Sequence, residues 1–278
     1  LTGIARELYG FQGRGVLLAA AVLIGIHSAA LRFVLGRIPG PHWEYLLEAG
    51  FAGQRLLGPV LQPSSIGVLL VLSVLLYLGR RPFGAVLTAV LAATVHPTYL
   101  LSAASLTMAY MVGEYLEQRT LRRPLLVGIT ALAAVLPVLI YVLGSFTPSS
   151  PGMTREAQAL LVEFRIPQHA QIELWFDATV VVKLVMLAAA LFLTRKKRLF
   201  PVLLVPAAVM LLLTVVQVAL DSNQLALLFP WRLSTWLVPL ATTVVSGMVL
   251  KQLLGYFDWL HTSSWIPAAA AGVVLALA

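Results

Sequence analysis

An all-α, polytopic bundle of transmembrane helices is the fold this sequence predicts, on three observations. Of its 278 residues, 60% are hydrophobic and only 11% charged, whereas a soluble domain carries about a quarter charged residues. Apolar runs near or above the roughly 18 residues that cross a hydrocarbon layer recur along the chain. Clusters of Arg or Lys separate them. Inside lipid a helix satisfies its own backbone polar groups, so such runs read as helices.

The hydropathy pattern places helices over 15–36, 65–79, 82–95, 98–116, 124–144, 176–194, 199–220, 232–251 and from 265 onward. These are nine spans in a single domain covering 1–278. Basic residues then fall at alternate ends: Arg6 and Arg14; Arg80 and Arg81; Arg119, Arg122 and Arg123; Arg195, Lys196, Lys197 and Arg198; Lys251. All five groups land on one side, which the positive-inside rule makes cytoplasmic. The expected location is therefore a bacterial inner (plasma) membrane with the N-terminus inside.

Composition also excludes. The formal charge of +8 is no nucleic-acid footprint, because the basic residues sit at helix ends and not on one polar face. Without cysteine there is neither a disulfide framework nor a thiolate metal site. The first apolar segment is not a signal peptide, since apolar helices follow it throughout and no small-residue cleavage site closes it. The chain starts at Leu1, and the run Trp265–Ala278 would rise only about 21 Å as a helix. The natural protein is therefore expected to continue past Ala278.

The side opposite the basic clusters receives four connections: Arg37 to Ser64, the tip His96-Pro97-Thr98, Ser145 to Trp175, and Asp221 to Arg232. The two long ones carry helical signals of their own and predict amphipathic segments lying on the membrane. In the first, a helix over 44–55 would bring Glu44, Glu48 and Arg55 to one face, although Gly50 and Gly53 oppose its continuity. In the second, Thr154 is placed to cap a helix ending near Arg165, and Pro167 closes it. The tip is the most telling geometry. From Pro82 to Val95 a helix rises about 21 Å, short of the roughly 30 Å of a hydrocarbon layer. The His-Pro-Thr turn is therefore expected below the outer surface, forming the floor of an outward-facing cavity.

Three histidines (His42, His96, His169), three arginines (Arg55, Arg165, Arg232) and several carboxylates (Glu44, Glu48, Glu163, Asp221) map to this outward side. Guanidinium forks hold phosphate oxygens bidentately, and a His or Glu can move a proton at neutral pH. Each also has a plainer reading. Glu44, Glu48 and Arg55 would equally make a solvated helix face, with an ion pair worth under about 1 kcal/mol. His96 would cap carbonyls in a tight turn. The stretch from Arg165 to His169 would anchor at lipid headgroups, and Phe229-Pro230-Trp231-Arg232 would be an interfacial Trp beside a snorkelling Arg. Within the spans lie His27, Arg32 and Lys183. Arg32 is near enough to a helix end to snorkel, whereas Lys183 sits about two turns inside, at a depth where ionisable groups mark function or a buried partner. No Gly-rich phosphate loop, HExxH, GxSxG or acidic metal-binding run occurs, which argues against cytoplasmic ATP chemistry and metalloprotease chemistry.

The segments His96-Pro97-Thr98, Arg165-x-Pro-x-His169 and Pro230-Trp231-Arg232 resemble those of a family of uncharacterised bacterial polytopic membrane proteins with HPT, R-x-P-H-H and PWR segments. Here Gln168 stands where the first of the two adjacent histidines would be. In plan the chain also resembles GT-C glycosyltransferases, with a cytoplasmic N-terminus, an acidic first outward loop and a short outward hairpin between the third and fourth spans. That resemblance implies a base or metal ligand at Glu44 or Glu48. His96 replaces the carboxylate often found in the second hairpin, which counts against a metal-dependent mechanism, and no cofactor is expected.

Together these readings predict an outward-facing site that handles a polyprenyl-phosphate sugar. Arg165 and Arg232 would hold the phosphate with Arg55 and Lys183 as further binding residues, Glu44 or Glu48 would activate the acceptor, and His96 or His169 would assist. The alternatives are a non-catalytic subunit or scaffold of a larger membrane complex, docking through loop aromatics such as Trp43 and Trp175, and a transporter using Lys183.

Overall fold

The computed structural model describes residues 1–57, 62–145 and 150–256, together with Ala269 and Gly272. Among the described residues it is helical, with no strand. In chain order the α-helices are α1 (Thr2–Tyr9), α2 (Arg14–Ile26), α3 (Ala29–Arg37), α4 (Val68–Leu78), α5 (Pro82–Val95), α6 (Leu100–Gln118), α7 (Arg122–Ser145), α8 (Pro151–Ala159), α9 (Pro167–Ala170), α10 (Ala178–Thr194), α11 (Leu199–Leu220), α12 (Asn223–Ala226) and α13 (Ser234–Tyr256).

Among the described residues three helical stretches are long and apolar enough to cross a membrane: α7, α11 and the run Asn223–Tyr256 that ends in α13. A fourth arises if the bent pair α2 and α3 counts as one span. Shorter apolar helices occupy Pro63–Leu78, Pro82–Val95 and Ala178–Thr194. The expected span from 265 onward falls almost wholly outside the described residues.

Three expectations change. The helix over 15–36 breaks at His27–Ser28, where α2 and α3 meet at 43°. The cause is local: Ser28 Oγ accepts from the Leu31 amide and so starts a new helix. Over its described residues the first long loop holds no amphipathic α-helix. It has 3₁₀ turns at Pro41–Trp43 and Phe51–Gly53, and Ala52 and Gly53 have φ of 54° and 63°, which no helix accommodates. The second long loop is helical as expected but capped by Ser150 rather than Thr154, and it continues as a π-helical turn over Leu160–Arg165.

The chain divides into two compact units. One comprises Leu1–Ala49, Ala178–Lys197 and Leu237–Ala278; the other, Gly50–Asp177 and Arg198–Trp236. In the first, α1 packs on α2, and the Tyr9 hydroxyl donates to the Val244 carbonyl of α13. Lys197 donates to the Leu8 carbonyl and lies 4.6 Å from the Tyr9 ring.

In the second unit α5 packs against α4, α6 and α7, and α6 also packs against α11. Ala85, Ala89, Ala92 and Ala93 are fully buried on one face of α5, so small side chains let the neighbouring backbones approach. Where α4, α6, α7 and α11 present their basic ends, Glu114 is buried and pairs with Arg198 and Arg123, and Glu117 pairs with Arg198 and Arg80. Arg198 also donates to the Tyr77 carbonyl at 3.0 Å. Tyr77 stacks on Tyr110, whose hydroxyl lies 2.7 Å from Ser73 Oγ. The His-Pro-Thr tip stands at the other end of the 19-residue α6, about 28 Å away at 1.5 Å per residue.

Candidate functional site

In the second unit, the tip, the loop after Gly50 and the turn before α13 converge on Arg232. Pro97 follows His96 and ends α5, because the residue before a proline is pushed out of the helical region. His96 accordingly has φ −137° and ψ 97°. A 3₁₀ turn over Pro230–Leu233 carries Arg232. Its Nε donates to Gln54 Oε1 at 3.0 Å, and its Nη1 donates to His96 Nε2 at 3.3 Å and to Thr98 Oγ1. The guanidinium also lies 5.7 Å from the Phe229 ring and 6.0 Å from the Tyr99 ring.

Every one of these partners is neutral. Among the described residues no carboxylate pairs with Arg232, a half-buried side chain that cannot shed its charge. Guanidinium only donates, so His96 must present its Nε2 lone pair and carry its proton on Nδ1. Burial first, and the charge of Arg232 second, hold His96 below the ordinary histidine value.

His169 reaches the same neighbourhood from α9, the short turn started by Pro167. Its Nδ1 lies 3.1 Å from the Ala52 carbonyl. A carbonyl only accepts, so the proton sits on Nδ1 and the Nε2 lone pair has no protein partner among the described residues. Burial lowers its pKa most; the bond to Ala52 opposes this, and Arg232 adds to the lowering.

Gly50 makes the loop possible. A Cβ there would stand 2.6 Å from the Thr235 amide nitrogen, 2.8 Å from the Ser234 carbonyl carbon, and nearer still to Ser234 Oγ. The Phe51 amide donates to that hydroxyl at 2.6 Å. Behind the loop Phe51 stacks on Trp175 at 6.0 Å, Trp175 lies 5.4 Å from Trp231, and Trp231 meets Phe229 edge-on at 6.1 Å. The indole nitrogens of Trp175 and Trp231 and Nε2 of Gln54 are buried donors without an acceptor among the described residues.

The other expected residues divide. Arg165 ends the π-helical turn and is exposed, with no hydrogen bond or ion pair to Arg232, His96 or His169, and Arg55 is half-buried in the loop after Gln54. In the first unit, Arg32 Nη1 pairs with Glu48 Oε1 at 3.3 Å, and His27 Nδ1 lies 3.9 Å from Glu48 Oε2. His27 caps α2 at the break, and its Nε2 is buried without a partner among the described residues. Arg32 thus joins a carboxylate instead of only snorkelling. Glu44 follows the turn at Trp43, half-buried, and Lys183 is buried on α10. His42 is exposed.

The interfacial-anchor reading of Pro230-Trp231-Arg232 does not hold. Trp231 is fully buried and Arg232 faces protein partners. Trp175, expected as a docking aromatic, is buried against Phe51 and Trp231. Sequence reasoning missed Gln54 and the Ala52 carbonyl; the pair of glycines at 50 and 53 was the available signal that the loop bends back toward other elements. No protein-family model, curated protein or solved structure matches this chain.

Proposed function

We propose that the chain is a multi-pass protein of a bacterial plasma membrane, with nine spans and a cytoplasmic N-terminus, and that its Arg232-centred site binds the phosphate of a polyprenyl-phosphate sugar as a GT-C-like glycosyltransferase. One observation carries this reading: a half-buried guanidinium with only neutral partners, beside unpartnered buried donors. A cation held in this way is compensated when an anion binds, and phosphate oxygens match the guanidinium fork.

In the transfer step the acceptor hydroxyl gives its proton to Nε2 of His169 as its oxygen bonds the anomeric carbon. The bond from that carbon to the phosphate oxygen breaks, and the phosphate leaves with the electron pair, held by Arg232. Before binding, burial chiefly and the Arg232 charge in addition disfavour a protonated His169. The bound phosphate cancels that charge, so the imidazole can accept a proton in the loaded site. His96 keeps its lone pair on Arg232 and positions it rather than acting as a base. Glu44 and Glu48 lie in the first unit, where Glu48 pairs with Arg32, and take no part in this step.

The full chain in lipid nanodiscs is assayed for polyprenyl-phosphate binding and for sugar transfer. Arg232→Gln is expected to lower binding about a hundredfold, as losing a charge-assisted pair worth about 2–3 kcal/mol predicts. His169→Gln is expected to spare binding and stop transfer. Unchanged phosphate binding in Arg232→Gln, with the protein folded, overturns the reading.

A further inference from the structure

The segment from Pro151 to Phe176 leaves large apolar side chains uncovered on one side. Met153, Leu160 and Phe164 are 61%, 60% and 80% exposed. In α8, Met153, Ala157 and Leu160 fall within about 60° of one another at the helical period, and all three are exposed. Phe164, four residues past Leu160, continues the row along the π-helical turn. Val162 is buried on the other side of that turn, and α8 packs on α12. Arg155 projects from the side of α8 opposite the row.

A second apolar pair closes the same loop. Leu174 and Phe176 are each more than half exposed, while Trp175 between them is buried against Phe51 and Trp231. Exposed apolar surface of this extent marks contact with a membrane or another protein. Two observations favour the membrane. From Pro151 to Phe176 there are two arginines, Arg155 and Arg165, against three carboxylates, Glu156, Glu163 and Glu173, so the segment has no net attraction for anionic headgroups and the apolar row must supply the binding. The chain also enters the segment from α7, a candidate span whose Leu132, Leu136 and Ile140 are exposed along its length. An apolar row backed by a polar side and continuous with a span is the pattern of a helix lying in the interface plane.

We infer that Met153, Leu160 and Phe164, with Leu174 and Phe176, insert into the outward leaflet at the boundary between headgroups and acyl chains, and that zwitterionic phospholipid is the partner, bound by apolar burial and not by charge. This rests on the membrane reading of the chain and is independent of the chemistry at Arg232. It bears on that site through the backbone. The Ile166 amide donates to the Leu161 carbonyl at 2.9 Å, and the His169 amide donates to the Ile166 carbonyl at 2.9 Å. Anchoring the row therefore holds the His169 turn at the depth where the phosphate of a membrane lipid lies.

The chain has no cysteine, so a single introduced one takes a spin label without competition. Met153→Cys, Leu160→Cys, Phe164→Cys and Phe176→Cys, with Arg155→Cys and Leu132→Cys for reference, are labelled in the full chain in phosphatidylcholine nanodiscs. Relaxation by oxygen is compared with relaxation by a water-soluble nickel chelate, and thermal unfolding checks that each variant is folded. The four loop positions in the apolar row and pair are expected to favour oxygen and to lie about 5–10 Å below the phosphates. Arg155→Cys is expected to favour nickel and Leu132→Cys to lie deepest. Adding phosphatidylglycerol or raising the salt is expected to leave these depths unchanged; depths that shrink at high salt overturn the inference, because headgroup charge then holds the segment. Nickel access along the row beside oxygen access at Leu132→Cys overturns it and leaves the membrane reading standing, whereas nickel access at Leu132→Cys as well overturns both. Labels shielded from both reagents place protein against the row, and oxygen access lost only when polyprenyl phosphate is added places the substrate's chain there; either result overturns the inference. If the row is inserted and polyprenyl phosphate fails to bind, the Arg232 reading falls alone.

Discussion

Gly50→Ala ties the backbone of the first loop to the chemistry at Arg232. The added methyl would meet the Thr235 amide at 2.6 Å and the Ser234 carbonyl carbon at 2.8 Å, both main-chain atoms that no rotamer change can move aside. Restoring ordinary contact requires the loop to retreat by roughly 1 Å, and overpacking of this kind costs about 1–3 kcal/mol. The same loop carries the Ala52 carbonyl bound by His169 at 3.1 Å and the Gln54 carboxamide bound by Arg232 at 3.0 Å. A 1 Å shift stretches both beyond hydrogen-bonding range, at about 1 kcal/mol for the neutral bond and 1.5–3 kcal/mol for the charged one. The expected destabilisation is thus about 3.5–7 kcal/mol, with activity falling about a hundredfold, as 1 Å misplacements do. Thermal unfolding of the full chain in nanodiscs gives the first quantity and polyprenyl-phosphate binding and transfer the second. Gly25→Ala serves as control: its Cβ meets nothing within 4 Å, so it is expected to be neutral or to stabilise by up to about 1 kcal/mol. Gly50→Ala behaving like Gly25→Ala would refute the claim that this loop positions the site.

Other perturbations separate the two ends of the second unit. Glu114→Gln breaks a buried pair and is expected to cost about 3 kcal/mol, whereas Glu117→Gln, at 31% side-chain exposure, should cost under about 1 kcal/mol; denaturant unfolding of both variants checks the order. His96 and His169 both have lowered folded pKa values, so acid protonates them more readily in the unfolded chain. Their stability contribution is full above the ordinary histidine value of about 6.5 and declines as pH falls below it. A Tm profile from pH 8 to pH 5 should fall on the acid side, and His96→Asn should flatten it. Arg232→Gln is expected to change Tm little, because three lost bonds oppose relief of an uncompensated charge; a Tm collapse would make Arg232 structural.

The sequence made some of this legible and hid the rest for identifiable reasons. The bounds of α5 could be read because Arg81-Pro82 opens it and His96-Pro97 closes it, and proline acts through covalent geometry that tertiary context cannot override. The break at His27–Ser28 was hidden because hydropathy continues across it; a serine cap in an apolar run is a single hydrogen bond, invisible to a periodicity. Arg165 and His169 look like one motif, yet Pro167 turns the chain between them, so His169 meets Ala52 while Arg165 stays exposed. Trp231-Arg232 was ambiguous in principle, since an aromatic-basic pair before an apolar run serves an interface or a buried site equally well. Only the pairing of Arg232 with Gln54, His96 and Thr98, elements 134 or more residues apart, distinguishes them.

The contrast within the second unit is the strongest reason to treat Arg232 as functional. Around Glu114 and Glu117, three arginines are matched by two carboxylates, and Arg198, the most enclosed of the three, contacts both. The fold therefore pairs its most enclosed guanidinium at that end with carboxylates. At the other end of α6, Arg232 is given lone pairs from a histidine, a threonine and a glutamine, which orient it without cancelling its charge. A structural role would be met better by a carboxylate or by an apolar residue of similar volume, because an uncompensated charge out of water is costly. Orientation without neutralisation is what a cation needs when its counter-charge arrives with the ligand.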